Sequence, residues 1–344
     1  MMKDVDTDTY GKKRGVPFSL LMAAGFLALV LIVAASISFG SADMQLHTAW
    51  AAIFKFDPAK TEHQIIHNLR FPRTIADVIV GCSLAMTGAI MQGTTRNPLA
   101  DSGLMGISSG AGLAMALCMA FLPDRTYAQT MLYACLGAGA ATGLTYGVAS
   151  LSKRGMTPQR LVLAGMSVSM LFAAFSSFVA IKYNIGQALT FWTAGGTAST
   201  TWKELSIVSP LFAAGLLAAI ALAPSVTLLS LGDDVASGLG LPTGRIKGFA
   251  TLIVLVLTGL SVLIVGPISF VGLIIPHVVR YMAGVDYRYI IPLSGLYGAT
   301  FMVGADLFGR LINRPNETPV GIIFAIIGVP VFLYLSRRQK GEIG

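Results

Sequence analysis

The sequence predicts an all-α, polytopic membrane protein, and three observations lead to this fold class. Hydrophobic residues make up 54% of the 344 residues. Only 12% of the residues are charged, whereas about 25% is usual in a soluble domain. The apolar residues also fall into runs of about 20, the length that a helix needs to cross the hydrocarbon core of a bilayer. These features exclude most soluble enzymes and indicate a chain that lies mainly in lipid.

Apolar runs along the chain predict about ten transmembrane helices in a single membrane domain, residues 17–335. The runs cover residues 17–39, 72–92, 103–122, 129–151, 161–181, 204–223, 248–265, 268–283, 289–308 and 319–335. The first run follows Lys12, Lys13 and Arg14 in the manner of a signal peptide, but it is longer than a typical signal h-region. We therefore expect it to be retained as a helix. Short tails, residues 1–16 and 336–344, flank the domain.

The distribution of basic residues predicts that both tails lie in the cytoplasm. Ten crossings place the two termini on the same side, and Lys and Arg resist translocation and stay inside. With cytoplasmic termini, 15 of the 24 basic residues fall on the inner side and 9 on the outer side. The formal net charge of +8 therefore reflects membrane topology, and we do not expect a nucleic-acid partner.

Three connecting segments are too long for simple turns. The outer segment 40–71 contains Trp50 and Phe56, an amphipathic set that predicts a short helix at the headgroup level. The outer segment 182–203 predicts another short helix. The inner segment 224–247 is interpreted as two short helices separated by glycines.

Small residues within the runs predict close helix packing. Gly139, Gly143 and Gly147 repeat every four residues in the fourth run, and Gly106 and Gly110 do so in the third. Because glycine has no side chain, such a stripe lets the backbone of a neighbouring helix approach closely.

The sequence contains no motif for catalysis, metal binding or nucleotide binding. It has no G-x-x-x-x-G-K-[ST] loop, so ATP must bind to another chain if it drives transport. The four histidines and three cysteines have no metal-site spacing, and no cofactor is expected. A carrier driven by an ion gradient usually needs a carboxylate alone at the membrane midplane, and none is predicted. Asp77 and Asp306 instead have arginine partners four residues away, Arg73 and Arg310.

Several motifs together resemble one family, the FecCD type of ABC transporter membrane subunit, which imports iron-siderophore complexes and cobalamin. The resemblance spans about residues 65–337 in the order of the family. It is carried by Arg70-Phe-Pro-Arg73, residues 92–101 (QGTTRNPLAD), 106–111 (GISSGA), 229–240 (LSLGDDVASGLG), 266–280 (GPISFVGLIIPHVVR), Asp306-Leu-Phe-Gly-Arg310, Pro319-Val-Gly321 and 328–334 (GVPVFLY).

The resemblance implies the function and its partners. A FecCD permease has ten helices and no nucleotide site of its own, so it is not an enzyme. It pairs with a second permease subunit, two cytoplasmic ATPase subunits and an extracellular substrate-binding protein in the cytoplasmic membrane. The implied substrate is a ferric siderophore, taken through by alternating access. Cobalamin or haem stays open as substrate, and so does the choice between a homodimer and a heterodimer.

The resemblance also implies roles for particular residues. Segment 225–245 corresponds to the cytoplasmic helices that couple the permease to the ATPase, with Gly232, Asp233, Asp234, Ala236, Gly238, Leu239 and Gly240 as the coupling residues. On the outer face, Arg70, Arg73 and Arg310 match residues that dock the binding protein. The alternative for these arginines is interfacial snorkelling and local pairing with Asp77 and Asp306.

The pathway is implied to run along the fifth helix, with parts of the third, eighth and tenth. Thr157 and Pro158 match the position of the cytoplasmic gate. Ser167, Met170 and Ser176 are expected to form a weakly polar wall, unless the serines only bond to the backbone of their own helix.

Overall fold

The computed structural model describes residues 17–40, 48, 50–52, 55–101, 106–124, 126–151 and 158–340. The helices in this part of the chain are α1 (Phe18–Ser38), α2 (Thr61–Thr95), α3 (Ile107–Phe121), α4 (Tyr127–Ser150), α5 (Pro158–Lys182), α6 (Gly186–Ala194), α7 (Trp202–Ser230), α8 (Asp233–Gly238), α9 (Thr243–Val265), α10 (Val271–Ala283), α11 (Tyr287–Ile312) and α12 (Val320–Lys340). Following the predicted orientation, we call the end of the bundle where α1 ends and α2 begins the outer end.

Among the described residues, seven helices are long and apolar enough to cross a membrane. They are α1, α2, α4, α5, α7, α9 and α11. The helices α3 and α10 and residues 320–333 of α12 are apolar but shorter. The predicted all-helical membrane fold is confirmed, while the number of ten crossings and the cytoplasmic termini stay predictions.

Of the three long connecting segments, one matches the expectation and two differ from it. Within 182–203 the expected short outer helix is present as α6. Of the two short inner helices expected in 224–247, only α8 is separate in the described residues, because α7 continues through Pro224 to Ser230. Val226 and Leu229 are fully buried in this extension, and their packing outweighs the backbone hydrogen bond that proline removes. In the outer segment 40–71, Thr61–Ile65 and a π-helical turn, Ile66–Arg70, form the first part of α2.

The bundle is organised around α2. Of its most apolar 18 residues, 83% are buried, against 22–28% in α1, α4, α5 and α7. Helix α2 packs against α11, α9, α7 and α10. The four helices α1, α4, α5 and α7 lie at the periphery of the bundle and therefore present apolar side chains that a single chain does not cover. Lipid or a second subunit has to cover them, since such large apolar surfaces are not stable in water.

Glycine pairs set the closest approaches to α2. A Cβ atom at Gly81 would collide with the carbonyl oxygen of Gly298 on α11, and one at Gly88 would collide with the backbone of Gly272 on α10. Both crossings therefore bring backbone against backbone, as small residues permit in membrane helices.

The predicted glycine stripes have mixed outcomes. Gly110 packs closely against Gly137 of α4, as expected for the third run. In the fourth run, a Cβ built at Gly139 would lie 3.7 Å from Leu255 of α9, an ordinary contact, whereas no atom of the described residues lies within 4 Å of a Cβ built at Gly143 or Gly147. Within the described part of the chain the prediction is therefore wrong for Gly143 and Gly147, which lie on an exposed face of α4.

We expect Gly88→Ala to destabilise the fold by about 3 kcal/mol or more, the upper end of the overpacking range, because the backbone of α10 cannot rotate away as a side chain can. The matched control is Gly143→Ala, which meets open space and should stabilise α4 by about 0.5–1 kcal/mol through helix propensity. Denaturant titration of the protein in detergent micelles measures both changes. Equal unfolding free energies for the two variants would contradict the close α2–α10 contact.

Candidate functional site

A cluster of ionised side chains lies at the outer end of the bundle, around the fully buried carboxylate of Asp306. The Arg73 guanidinium donates from Nε to Asp306 Oδ1 (3.1 Å) and Oδ2 (3.0 Å) and from Nη2 to Oδ1 (2.7 Å). Its Nη1 donates to Glu317 Oε2 at 2.8 Å. On the other side, Arg310 Nε lies 3.0 Å from Asp306 Oδ2. Arg73 thus bridges the two carboxylates, and Arg310 adds a second cation at Asp306, which compensates charges that are costly to bury alone.

The arginines Arg70 and Arg310 also cap the end of α1. Arg70 Nη1 donates to the carbonyl oxygens of Ile37 and Ser38, both at 2.9 Å. Arg310 Nη1 donates to the Ser36 carbonyl at 3.0 Å, and its Nη2 donates to Ser36 Oγ. The last carbonyls of a helix have no partner within it and carry partial negative charge. Two cations from other elements satisfy them here.

These contacts bear on the three predicted docking arginines. Arg70 and Arg310 are only 6% and 2% exposed, and the side chain of Arg73 is 12% exposed. The Arg310–Asp306 pair that the spacing predicts is present. Direct docking through Arg70 or Arg310 would require their bonds to α1 to open, so docking stays a prediction for all three.

Asp77 has a different partner from the one that the spacing suggests. Arg73 bonds to Asp306 and Glu317, while Asp77 Oδ1 accepts a hydrogen bond from Thr197 Oγ1 at 2.7 Å. The sequence could not indicate either contact, because 233 residues separate Arg73 from Asp306 and 120 separate Asp77 from Thr197. The ion pair with Arg73 is therefore formed across helices.

The predicted pathway residues lie on α5, the helix with many uncovered apolar side chains. Met170 is 68% exposed. Ser167 and Ser176 donate to the carbonyls of Leu163 and Phe172, both at 2.9 Å, so both serines bond to their own helix. Their oxygen atoms keep free lone pairs, and the role of the wall stays a prediction. Of the gate residues, Thr157 lies outside the described residues, and Pro158 is the first residue of α5.

Two cavities border this region at the outer half of the bundle. One has a volume of about 570 Å³ and lies between α3, α5 and α6, where Ser109, Ser176 and Thr190 contribute hydroxyl groups. The other has a volume of about 660 Å³ and is lined by the α6–α7 connector, the end of α9 and the start of α4. Both volumes lie in the range of small-molecule sites, about 300–1,000 Å³.

The predicted coupling residues form a compact inner element built on α8. Gly232 and Gly240 flank this helix with φ angles of +122° and +83°, which other residues rarely adopt. Ala236 is fully buried and anchors α8 to the bundle. Asp233 pairs with Lys247 of α9, and Asp234 also lies in the first turn.

Three apolar side chains of this element are left uncovered. Leu231, Val235 and Leu239 are 61%, 49% and 63% exposed. Exposed large apolar groups beside a fixed short helix are typical of a protein-docking surface. The sequence resemblance implies an ATPase contact at the same segment, and this contact stays a prediction.

Sequence reasoning missed a buried contact that holds α10 to α2. Gln92 is 2% exposed, and its Nε2 donates to the carbonyls of Gly272 (3.2 Å) and Leu273 (3.3 Å). Its Oε1 accepts from Arg280 Nη2 at 2.6 Å. The available signal was an amide side chain within an apolar run, since buried polar groups are almost always bonded.

Comparisons with known proteins find similar sequences and a similar fold. The sequence pattern of the FecCD transport family matches residues 27–338. The iron(3+)-hydroxamate import system permease protein FhuB of Bacillus subtilis is 47% identical over 321 residues, 93% of this chain and 84% of its own length. The cobalamin import system permease protein BtuC of Halobacterium salinarum is 36% identical, covering 86% of this chain and 79% of its own. A solved structure described as a metal-chelate type ABC transporter in an inward-facing conformation superposes with a TM-score of 0.80 at 27% identity, covering 93% of this chain and 99% of the other.

We expect Arg310→Ala to lower the free energy of unfolding by about 3–5 kcal/mol, because it breaks a buried ion pair and removes the donor to the Ser36 carbonyl at the end of α1. Arg288→Ala is the control: its side chain is 61% exposed where it pairs with Asp286, and an exposed pair contributes about 0–1 kcal/mol. Denaturant titration in detergent micelles gives both values. An Arg310→Ala variant as stable as Arg288→Ala would contradict the structural importance of the cluster.

Proposed function

Because the chain belongs to the FecCD transport family, we propose that it is the transmembrane permease subunit of an ABC importer that carries an iron(III)-siderophore complex across the cytoplasmic membrane by alternating access. The observation that carries this proposal is the 47% identity, over 93% of the chain, to a permease named for iron(3+)-hydroxamate import. Ten crossings, with residues 1–16 and 336–344 in the cytoplasm and residues 17–335 as one membrane domain, complete the proposed topology.

The surface of α5 suits the passage of a bulky chelate. It combines large apolar side chains with hydroxyl groups whose hydrogens are directed to the helix backbone. A pathway has to bind its substrate weakly enough to release it, and this wall offers few charges that would hold a chelate. Met170 adds a flexible side chain that adapts to irregular shapes.

The energy for transport enters through partners. The chain has no nucleotide-binding loop, so two cytoplasmic ATPase subunits hydrolyse ATP. The uncovered apolar groups of the α8 element, Leu231, Val235 and Leu239, dock against the ATPase and transmit its motion. A second permease subunit, identical or homologous, covers α5 and completes the pathway.

An extracellular binding protein delivers the chelate to the outer end. Arg73 is the most accessible of the three proposed docking arginines, and its partner Glu317 is 34% exposed beside it. Arg70 and Arg310 contribute by fixing the outer ends of α1 and α11 on which the binding protein rests. Electrostatic complementarity at such a surface mainly serves orientation and encounter rate.

A second candidate substrate is cobalamin, because the Halobacterium salinarum relative is named as a cobalamin import permease. Haem is a third. The three candidate substrates are separated by measuring the uptake of each labelled compound. The cells used have their own copy of this gene deleted and then restored. We expect restored uptake for a ferric siderophore and background levels for cobalamin and haem.

The same cells separate the importer from a secondary carrier. With cellular ATP held constant, a protonophore should leave ferric siderophore uptake within about twofold of the untreated rate, since ATP binding and not an ion gradient drives the change of state. Immediate loss of uptake under this treatment would favour the ion-gradient-driven carrier and contradict the proposed ABC importer.

We expect Gly240→Ala to reduce uptake severely while the protein still inserts in the membrane. The space around Gly240 is open, so the effect comes from its left-handed backbone, which disfavours a side chain by about 1–2 kcal/mol and tilts α8. Gly248→Ala carries the same substitution in the regular part of α9, also in open space, and should transport normally. Uptake per inserted protein is the measurement, and normal uptake by Gly240→Ala would remove the coupling assignment.

A further inference from the structure

The inner end of α7 is hydrogen-bonded to the start of α11. Thr227 lies in the extension of α7 beyond Pro224, and its Oγ1 donates to Asp286 Oδ1 at 3.0 Å. The same oxygen accepts a hydrogen bond from the Tyr287 amide at 3.0 Å. The Ala223 carbonyl is also within reach at 3.3 Å, but the carboxylate is nearer and charged and therefore takes the single hydroxyl hydrogen. One side chain thus joins α7 to the N-cap of α11.

Close packing against α2 supports this hydrogen-bonded contact. A Cβ atom at Gly93 of α2 would collide with Val226 of α7 and with the ring of Tyr287 of α11. Val226 is fully buried and Tyr287 is 5% exposed. Since protein interiors are packed closely, a displacement of this end of α7 acts directly on the start of α11.

A second set of contacts extends the connection to α10. Arg280 Nη2 donates to Gln92 Oε1 at 2.6 Å and, at a longer distance of 3.4 Å, to the Tyr287 hydroxyl oxygen. Tyr287 therefore contacts side chains of α2, α7 and α10. We call this group of side chains the inner junction; its members are Gln92, Thr227, Arg280, Asp286 and Tyr287.

The inner junction lies next to the α8 element along the chain. Only Leu231 and Gly232 separate α7 from α8, and α8 packs against α7 and α9. The ion pair to α9, Asp233–Lys247, is 42% and 38% exposed, and a pair as exposed as this one contributes little. A force on α8 therefore passes mainly into α7, toward Thr227.

We propose that Thr227 and Asp286 are positioning residues that transmit the displacement of α8 to α10 and α11. The inference rests on the proposed function, because it takes α8 as the element on which the ATPase acts and α10 as part of the pathway. Coupling between distant sites is carried by packed and hydrogen-bonded groups. Without the Thr227–Asp286 bond, ATP hydrolysis continues and moves α8, but α10 and α11 follow less often.

The test compares uptake with ATP hydrolysis in the assembled importer, reconstituted in liposomes with its ATPase subunits and binding protein. Thr227→Val keeps the shape of the side chain and removes the hydroxyl group. We expect it to reduce ferric siderophore uptake per ATP hydrolysed about fivefold, the population change for losing one hydrogen bond. The rate of ATP hydrolysis should stay near the parent value. An unchanged ratio would overturn the proposal, and so would a proportional loss of both activities, which indicates a purely structural role.

Thr251→Val is the matched control. Thr251 Oγ1 also bonds to its own helix, at the Lys247 carbonyl (2.9 Å), and across to another helix, at the Tyr146 hydroxyl (3.0 Å). It lies outside the inner junction, so this variant should keep the parent ratio. Thr227→Ser keeps the hydroxyl group and should restore that ratio. A reduced ratio in Thr251→Val or in Thr227→Ser would contradict the role assigned to the Thr227–Asp286 bond.

Variants of Asp286 test the same bond from the other side. Asp286→Ala should reduce the ratio, and the double variant with Thr227→Val should be no worse than Thr227→Val alone, because residues that share one interaction do not act additively. Arg288→Ala removes the exposed ion pair with Asp286 but leaves the bond to Thr227, and should keep the parent ratio. Additive losses in the double variant would contradict the inference.

A distance measurement tests the inference without any transported substrate. With Cys82, Cys118 and Cys135 replaced by alanine, spin labels are attached at Tyr281→Cys on α10 and Leu151→Cys after α4, which are 83% and 82% exposed in the parent chain. A non-hydrolysable ATP analogue should change the distance between the labels in the parent importer and not in Thr227→Val.

The outcomes separate the inference from the proposed function. No change of distance in the parent importer, or the same change in Thr227→Val, would overturn the inference. A parent importer that takes up no ferric siderophore but shows the change, with its loss in Thr227→Val, would contradict the proposed function and support the inference.

Discussion

The carboxylate of Asp306 holds the outer end of the bundle together. It receives Arg73 from α2 and Arg310 from its own helix, and Arg310 continues to the end of α1. In a low-dielectric interior a lone charge is very unfavourable, so each of these groups constrains the position of the others. The hydroxyl pair Ser36–Thr74, 2.9 Å apart, adds a neutral contact between the same helices. The outer ends of α1, α2 and α11 therefore move as one unit.

Further from the outer end, close backbone contacts rather than ion pairs fix the positions of the helices that pack against α2. Helix α2 meets α11 at the Gly81–Gly298 crossing and α10 at the Gly88–Gly272 crossing, and Gln92 bonds to the start of α10. The result is a rigid centre with α2 inside it. The peripheral helices α4, α5 and α7 have a much smaller share of buried residues than α2. This division suits a transporter subunit, because the centre is extensively packed while the less buried α5, α6 and α8 remain available to the proposed pathway and the proposed partners.

Some features followed from local sequence pattern and others did not. The membrane helices lie where runs of apolar residues predict them, because the cost of unpaired backbone groups in lipid leaves few alternatives to a helix. The short α6 lies in a connecting segment that is too long for a simple turn. Helix α7 is longer than the apolar run 204–223 predicts, because the tertiary packing of Val226 and Leu229 continues the helix through Pro224. The glycine pattern predicted contact correctly at Gly110 and wrongly at Gly143 and Gly147. A glycine pattern shows that one face of a helix has no side chains, but it does not show which neighbouring helix packs against that face.

The amino-acid sequence is sufficient to predict the fold class, the approximate positions of the membrane helices, the family and the inner segment that forms α8. These depend on composition and on residues close together along the chain. The partners of the charged and polar groups depend instead on the tertiary structure. It joined Arg73 to Asp306, attached Asp77 to Thr197 and turned Arg70 and Arg310 toward the end of α1. Buried charges pair with whichever opposite or polar group folding brings near, and that proximity depends on how distant helices pack.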